Sequence, residues 1–362
     1  MELADFRENG QFHASGVYRV ALLIPLCGAA GIWAPSCISS AQVAVAELNK
    51  ADGIDGRKVQ LIMIDAAVEA AEPIEEIVND LIDLGAIDAI VGMHLSAIRQ
   101  RLSKVVRQRI PYIYTPLYEG GETTAGLFAI GETPKEQLGP AMVFMQKRFK
   151  PRKWALIGND YVWPRSSHDY AKSCLKQMNV DLAMECYVPF GLSNMSGLVS
   201  QLEASGADAV LVSLVGQDAV MFNRTFGRRG LHKNIVRLST ALEENGLMAC
   251  GRGNLERLFS VSSSFGSISN DENAAFKERY YGMHGDTAPA LNALGQSTYE
   301  GLHYLAGLIG QFGDVWQQKS TRDQLPVSYA SGRNFTHSPA LRRPSVYMAR
   351  ADGVQFCDFK LL

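Results

Sequence analysis

Residues Trp154 to Arg165 read WALIGNDYVWPR. Apolar and aromatic residues from Trp154 to Ile157 run into Gly158, Asn159 and Asp160, and a helical pattern resumes after Pro164. This predicts a buried parallel strand ending in a loop that opens a helix. In open α/β sheets, ligands sit outside the carboxyl ends of the strands, where helix N-termini offer free N–H groups. Tyr161 and Trp163 bring large amphipathic rings to this loop, Pro164 suits a first helical turn, and no nucleophile paired with a base stands nearby. The stretch is suited to holding a molecule rather than reacting with it.

The same grammar extends in both directions. Upstream, strands are predicted at Tyr18 to Pro25, Lys58 to Asp65, Ala89 to Gly92 and Ile110 to Tyr114, with helices at Ala41 to Lys50, Ala70 to Leu84 and after Ser96. Ser36 to Ser40 are expected to cap the first of these helices and Ser96 to be the N-cap of the third. A further strand, Leu127 to Ile130, leads to a crossing near Thr133. Helix Glu136 to Phe149 then precedes the quoted strand, and strands at Leu182 to Val188, Ala209 to Leu214 and Ile235 to Leu238 alternate with helices after it. Leu258 to Ser263 reads as another strand, Asp271 to Tyr281 and Pro289 to Phe312 as helices, and Ser345 to Arg350 with Gln355 to Phe359 as a terminal hairpin. The fold class expected is α/β, with two doubly wound lobes joined by three crossovers near Thr133, near Ser262 and around residues 325–335. Residues 17–133 with 263–328 form the N-terminal lobe of this scheme, residues 134–262 with 329–362 the C-terminal lobe, and residues 1–16 a polar extension.

At 362 residues, 47% hydrophobic and 20% charged, the chain is long enough for two domains of ordinary globular composition. A formal net charge of −2 excludes the strongly basic footprint of a nucleic-acid backbone binder. Cys27, Cys37, Cys174, Cys186, Cys250 and Cys357 are scattered without a CxxC pair, so they read as small core residues rather than as a disulfide framework or zinc site. The glycines of CGAAGIWAPSCISS do not match a dinucleotide fingerprint, and Ser173 with Lys176 lies mid-helix without the companion motifs of a hydrolase. No motif calls for a cofactor or a metal. The first nineteen residues carry three acids and two bases, the wrong sign for a secretory leader. The expected location is therefore periplasmic if a signal has been removed, and otherwise cytoplasmic.

Five segments carry a resemblance: IGNDYVWPRSS at 157–167, AVAELNKADGIDGRKVQLI at 44–62, TPLYEGGE at 115–122, LVGQDAVMFNR at 214–224 and STALEENGL at 239–247. With these the chain resembles the type I periplasmic-binding-protein superfamily, in the branched-chain amino acid receptor group, and within it the branch that binds short amides and urea. The resemblance covers residues 17–362 and implies a Venus-flytrap binding protein with no enzymatic activity, closing on a small polar ligand between its lobes. Matched residue by residue, it places His94, Ser96, Tyr114, Tyr118, Tyr161, Trp163, Val215, Gly216, Thr240 and Ala241 around that ligand. Two departures, Trp33-Ala34-Pro35 in the first loop and Ser264 where the branch's amide sensor has an aromatic residue, are expected to reshape the pocket.

Ser96 is expected to bond a ligand carbonyl or carboxylate, with Tyr118, Tyr161 and Trp163 lining the cleft. Glu243 and Glu244 have two readings: a carboxylate receiving an ammonium or amide N–H, with Glu244 the candidate, or acids that favour the first turn of a helix. His94 is either a further donor or a structural histidine. Two functions follow from the resemblance. The first is the substrate-binding component of an ABC transporter, partnered by a membrane permease. The alternative is a cytosolic amide sensor acting on a transcription antiterminator or similar regulator. Neither involves direct nucleic-acid binding, and both leave room for a homodimer.

Overall fold

A computed structural model describes residues 16–70, 72–318 and 345–362. The first sheet holds β1 (Val17–Ile24), β2 (Lys58–Asp65), β3 (Ala89–Gly92), β4 (Tyr112–Tyr114) and β5 (Leu127–Ala129). Its strands are all parallel, in the order β2-β1-β3-β4-β5. Helices α1 (Ala34–Lys50), α2 (Ile74–Asp83) and α3 (Ser96–Val106) connect the first four strands. From Val20 onward β1 is buried on both faces, as a central strand covered by helices on each side must be.

The second sheet is fed by α4 (Pro134–Phe149), β6 (Lys153–Asn159), α5 (Val162–Met178), β7 (Asp181–Val188) and α6 (Ser196–Ala204). It continues through β8 (Ala209–Ser213), α7 (Gly216–Arg228), β9 (Val236–Ser239), α8 (Glu244–Cys250) and β10 (Leu258–Ser262). The hairpin of β11 (Tyr347–Asp352) and β12 (Gln355–Leu361) adds two antiparallel strands, giving the order β12-β11-β10-β9-β8-β6-β7. Between β10 and this hairpin, α9 (Asp271–His284) and α10 (Ala293–Phe312) return to the first lobe and pack on α1. The two-lobed, doubly wound architecture read from the sequence is the one observed.

Two crossings between lobes lie within the described residues. At the first, Thr133 and Glu136 form a capping box that starts α4. At the second, the Ser263 backbone N–H donates to the Glu132 carboxylate at 3.1 Å, tying the two crossing segments side by side. The third expected crossover, around residues 325–335, and the extension 1–15 lie outside the described residues.

Three local expectations are corrected. Helix α1 starts at Ala34, not Ala41, and Ser36, Ser39 and Ser40 lie inside it, buried, while its N-cap Trp33 gives no side-chain cap. These serines allow close packing: a Cβ on Gly295 of α10 would come within 2.9 Å of the Ser40 hydroxyl, and Asn292 Nδ2 donates to Ser36 Oγ at 2.9 Å. Helix α2 starts at Ile74, because Pro73 holds an extended N-cap conformation at φ −64° and ψ 112°. Ser96 is the first residue of α3 rather than its cap, a position taken by Leu95.

Candidate functional site

The carboxyl ends of both parallel sheets face each other, so the loops after β1, β3, β4, β6, β8 and β9 meet in one cleft. The GND turn shows why its residues suit this place. A Cβ on Gly158 would lie 2.7 Å from the Pro164 ring, so glycine lets α5 fold back against the end of β6. The buried Asn159 side chain donates to Asp218 at 2.7 Å and accepts the Val215 N–H at 3.0 Å. One amide thereby fixes the β6–α5 loop against the β8–α7 loop.

Between the lobes lies a small cavity of about 20 Å³, space on the order of one or two water molecules. The first lobe lines it with Trp33, His94, Leu95, Ser96, Tyr114, Pro116, Leu117 and Leu294, and the second with Tyr161, Trp163, Val215 and Ala241. The apolar core of the first lobe continues across the cleft into Trp163, Val215 and Ala241. None of the lining residues is charged at neutral pH. Burial pushes His94 down to about 3, and both ring nitrogens are engaged, Nδ1 with the Leu95 carbonyl at 3.2 Å and Nε2 with the Tyr112 hydroxyl at 2.8 Å. His94 is thus a neutral structural histidine with no nitrogen left for a ligand. Tyr114 donates to the His94 carbonyl at 2.8 Å, so the 3.3 Å contact with Ser96 Oγ is donated by the serine, which keeps its acceptor lone pairs. The Trp163 indole N–H, fully buried, has no hydrogen-bond partner among the described residues.

Four residues expected at the site, three of them matched by resemblance, do not line this cavity. Tyr118 is buried edge-on to Tyr114, with ring centroids 6.5 Å apart, and the Arg99 guanidinium lies over both rings. Gly216 starts α7 at φ +50°, where its backbone meets Ala29 of the first lobe. Thr240 lines a second interlobe cavity, also about 20 Å³, which shares Pro116, Leu117 and Leu294 with the first. Glu244 accepts the Gly266 N–H at 2.7 Å, a bond that closes the second crossing rather than entering the cavity. Ser264 is likewise turned to structure, donating to Gln296 Oε1.

Sequence reasoning flagged Trp33 as a departure but missed its partner. The Trp33 indole N–H crosses the cleft to the Glu243 carboxylate at 2.8 Å. Beside it, Asn245 donates to the Ile32 carbonyl at 3.3 Å and accepts from Asn292 at 2.9 Å, while Gln217 N donates to the Ala29 carbonyl at 2.8 Å. The lobes are therefore closed on each other. Arg99, held by Glu119 at 2.6 Å and Glu122 at 3.0 Å behind the Tyr114 wall, was also missed, since no local pattern announces it.

Burial pushes Glu243 up to about 8 and Glu244 up to about 7, from the usual 4.5. A carboxyl raised in this way binds a proton on folding. Its contribution is complete below the usual carboxylate value and is lost as pH rises through about 7 to 8. His94 and His168, pushed down by burial to about 3 and about 4, oppose this below their usual 6.5. Stability should accordingly climb as pH falls from about 8 to about 6.5 and then level off. In thermal melts followed by circular dichroism, Glu243→Gln should flatten that climb by up to about 1.4 kcal/mol per pH unit. An unchanged climb in the variant would place its origin elsewhere.

The sequence profile of the family described as Periplasmic binding protein matches residues 17–338. Among curated relatives, the Leu/Ile/Val-binding protein homolog 3 of Brucella melitensis is 22% identical over 335 residues, covering 90% of this chain and 89% of that protein. Among solved structures, the branched-chain amino acid transporter substrate-binding protein LivJ of Streptococcus pneumoniae, in complex with isoleucine, superposes with a TM-score of 0.79 at 15% identity. That match covers 96% of this chain and 99% of LivJ. A solute-binding protein of an ABC transporter from R. palustris, in complex with 4-hydroxybenzoate, gives 0.75 at 15% identity over 94% and 95% of the two chains.

Proposed function

The chain belongs to the periplasmic binding protein family, and on that footing we propose that it captures a small, uncharged polar solute between its lobes and releases it unchanged. The carrying observation is the buried Trp163 indole N–H, without a partner among the described residues, on the wall of a cavity that has no ionised lining group. An unpaired buried N–H costs about 1–3 kcal/mol, which a solute carbonyl oxygen would recover. Ser96 Oγ supplies an acceptor for a solute N–H, and the Tyr161 and Trp163 rings, 6.2 Å apart, form an amphipathic wall. Donor, acceptor and aromatic wall together suit a short amide or urea. A zwitterionic amino acid would bury an ammonium and a carboxylate that these residues do not pair, at a cost of several kcal/mol.

Closure is the working motion: one lobe receives the solute and contacts from the other favour the closed form. No covalent chemistry is proposed, because His94, the titratable base at the cavity, has both nitrogens occupied. The partner proposed is a membrane permease of an ABC transporter, which reads the closed form from outside the membrane. No helix among the described residues is long and apolar enough to cross a membrane itself.

A thermal-shift screen of acetamide, formamide, urea, leucine and isoleucine tests this reading. A solute at a hundredfold excess over its Kd stabilises the folded state by about 2.7 kcal/mol. The neutral amides or urea should raise the melting temperature, and Trp163→Phe, which removes only the N–H donor and part of the ring, should weaken the effective amide about tenfold. A shift given by leucine or isoleucine alone would overturn the neutral-solute reading in favour of an amino acid, the ligand class named for several relatives.

A further inference from the structure

The turns at the amino ends of the second sheet's strands, on the side of that lobe away from the cleft, carry a charge that the chain total conceals. Residues 147–153, 176–181, 203–208, 228–235, 250–257 and 350–358 hold twelve Lys and Arg against six Asp and Glu, a net +6 in a chain of net −2. Strand register gathers them on one face: Lys153 of β6 lies opposite Asp181 of β7, Ala209 of β8 pairs with Trp154 and Val236, and Leu258 of β10 pairs with Arg237. Helix α4 reaches this end on one side of the sheet and α7 on the other. Five parallel strands about 4.8 Å apart make the face about 20 Å wide.

Helix carboxyl ends favour cations, but they do not account for this excess. The first sheet is built the same way, and its turns 16–19, 50–58, 83–88, 106–111 and 313–318 hold six basic residues against five acids. On the second lobe several acids are also already engaged. Glu203 pairs with Arg229 at 2.6 Å, Glu256 contacts His232 at 3.1 Å, and Asp208 accepts the Arg152 and Lys153 N–H groups at 3.1 and 2.9 Å. Lys147, Lys153, Arg228 and Lys233 are exposed and make no ion pair among the described residues. Arg148 and Arg257 lie over the same Phe149 ring, 5.5 and 5.8 Å from its centre. Like charges gathered in this way cost the fold self-repulsion, so their use lies outside folding.

We infer that this face docks on an anionic phospholipid bilayer and holds the protein against the membrane surface by its second lobe. The charges spread over a plane, on both sides of a five-strand width, rather than along a line. Apolar side chains stand among them: Leu182, beside Asp181, and Val354, in the hairpin turn next to Arg252, are each 40% exposed. Lysine stems add further apolar surface below their charged heads, as at a lipid interface. Each Lys or Arg brought to such a surface contributes about fivefold in affinity. The face belongs to one lobe, so open and closed forms present it alike, and the inference does not depend on which solute the cleft takes.

The test is co-sedimentation of the full chain with vesicles of phosphatidylcholine alone and of phosphatidylcholine with about one-third phosphatidylglycerol. The protein should bind only the anionic vesicles and be released at high salt. Lys147→Gln/Lys153→Gln/Lys233→Gln should weaken binding about a hundredfold. Lys50→Gln/Lys104→Gln/Arg107→Gln removes the same charge from the first lobe and should stay within about threefold of the unmodified protein. All six side chains are exposed and without an ion pair among the described residues, so both variants should fold, as circular dichroism melts would verify. No binding to anionic vesicles, no loss in the second-lobe variant, or equal losses in the two variants would each overturn the inference. So would binding of single-stranded RNA or polyglutamate in place of vesicles, which would give the face to another polyanion.

Discussion

Gly216→Val is expected to weaken acetamide binding by about a hundredfold while leaving each lobe folded. A Cβ at this position would sit 1.9 Å from the Ala29 carbonyl oxygen, across the cleft, far inside any real contact. The same carbonyl accepts the Gln217 N–H at 2.8 Å, so the collision falls on a hydrogen bond that closes the lobes. Backbone meets backbone here, and neither side has a rotamer by which to yield. The variant must part the lobes or break the contact, and solute affinity falls by the fraction of molecules still able to close. A hundredfold loss corresponds to about 2.7 kcal/mol against the closed form. Gly216 also sits at φ +50°, where a side chain adds strain of about 1–2 kcal/mol whether the lobes are open or closed. Gly206→Val separates the two effects, because Gly206 has a φ of +68° with nothing within 4 Å of its would-be Cβ. The control should lose stability and keep its affinity. Titration calorimetry and small-angle scattering would read the outcome; a Gly216→Val affinity within threefold of the unmodified protein would show that this approach is not needed for capture.

How much of this was legible in the sequence follows from how local each cause is. Strands β2 and β3 were read with their observed bounds, Lys58–Asp65 and Ala89–Gly92, because continuous apolar runs flanked by turn residues are a local signal. The start of α1 was misread by seven residues, since serines after a proline look like a cap until α10 is known to press on them. Seven of the ten residues matched by resemblance line one cavity, whereas Tyr118, Gly216 and Thr240, together with Glu244, which was read from its own chemistry, stand behind or beside it. The Trp33–Glu243 bond joins residues 210 apart in the chain, and nothing near either residue announces the other. What the sequence carries is the placing of loops at strand ends; which side chains then use each other up is decided when the lobes meet.

Arg237→Ala should cost about 3–5 kcal/mol of folding stability, from the cavity it opens and the two acceptors it leaves unpaired. Arg237 lies in the middle of the second sheet with no exposed surface, paired in register with Leu258 and Val210 of the neighbouring strands. Its guanidinium donates to Asn223 Oδ1 at 2.6 Å and to the Glu256 carbonyl at 2.8 Å, and it stacks on Phe226 at 4.2 Å from the ring centre. Burial lowers its pKa from the usual arginine range, a sign that the charge is held by neutral acceptors and a ring. Alanine would remove the whole side chain, leave Asn223 and Glu256 without their donor, and open a cavity against Phe226. Arg237→Met should be milder, at about 1–3 kcal/mol, because it refills the volume and removes a charge that was costly to bury, while the two acceptors stay unpaired. Urea denaturation should therefore rank the unmodified protein above Arg237→Met and Arg237→Ala lowest; equal losses in the two variants would show that packing against Phe226 contributes nothing. The effect should also reach the solute, since β9 ends at Ser239 and delivers Ala241 to the cavity wall. Amide affinity should fall in Arg237→Ala even at temperatures where that variant is still folded, because the strand that positions Ala241 has lost its anchor.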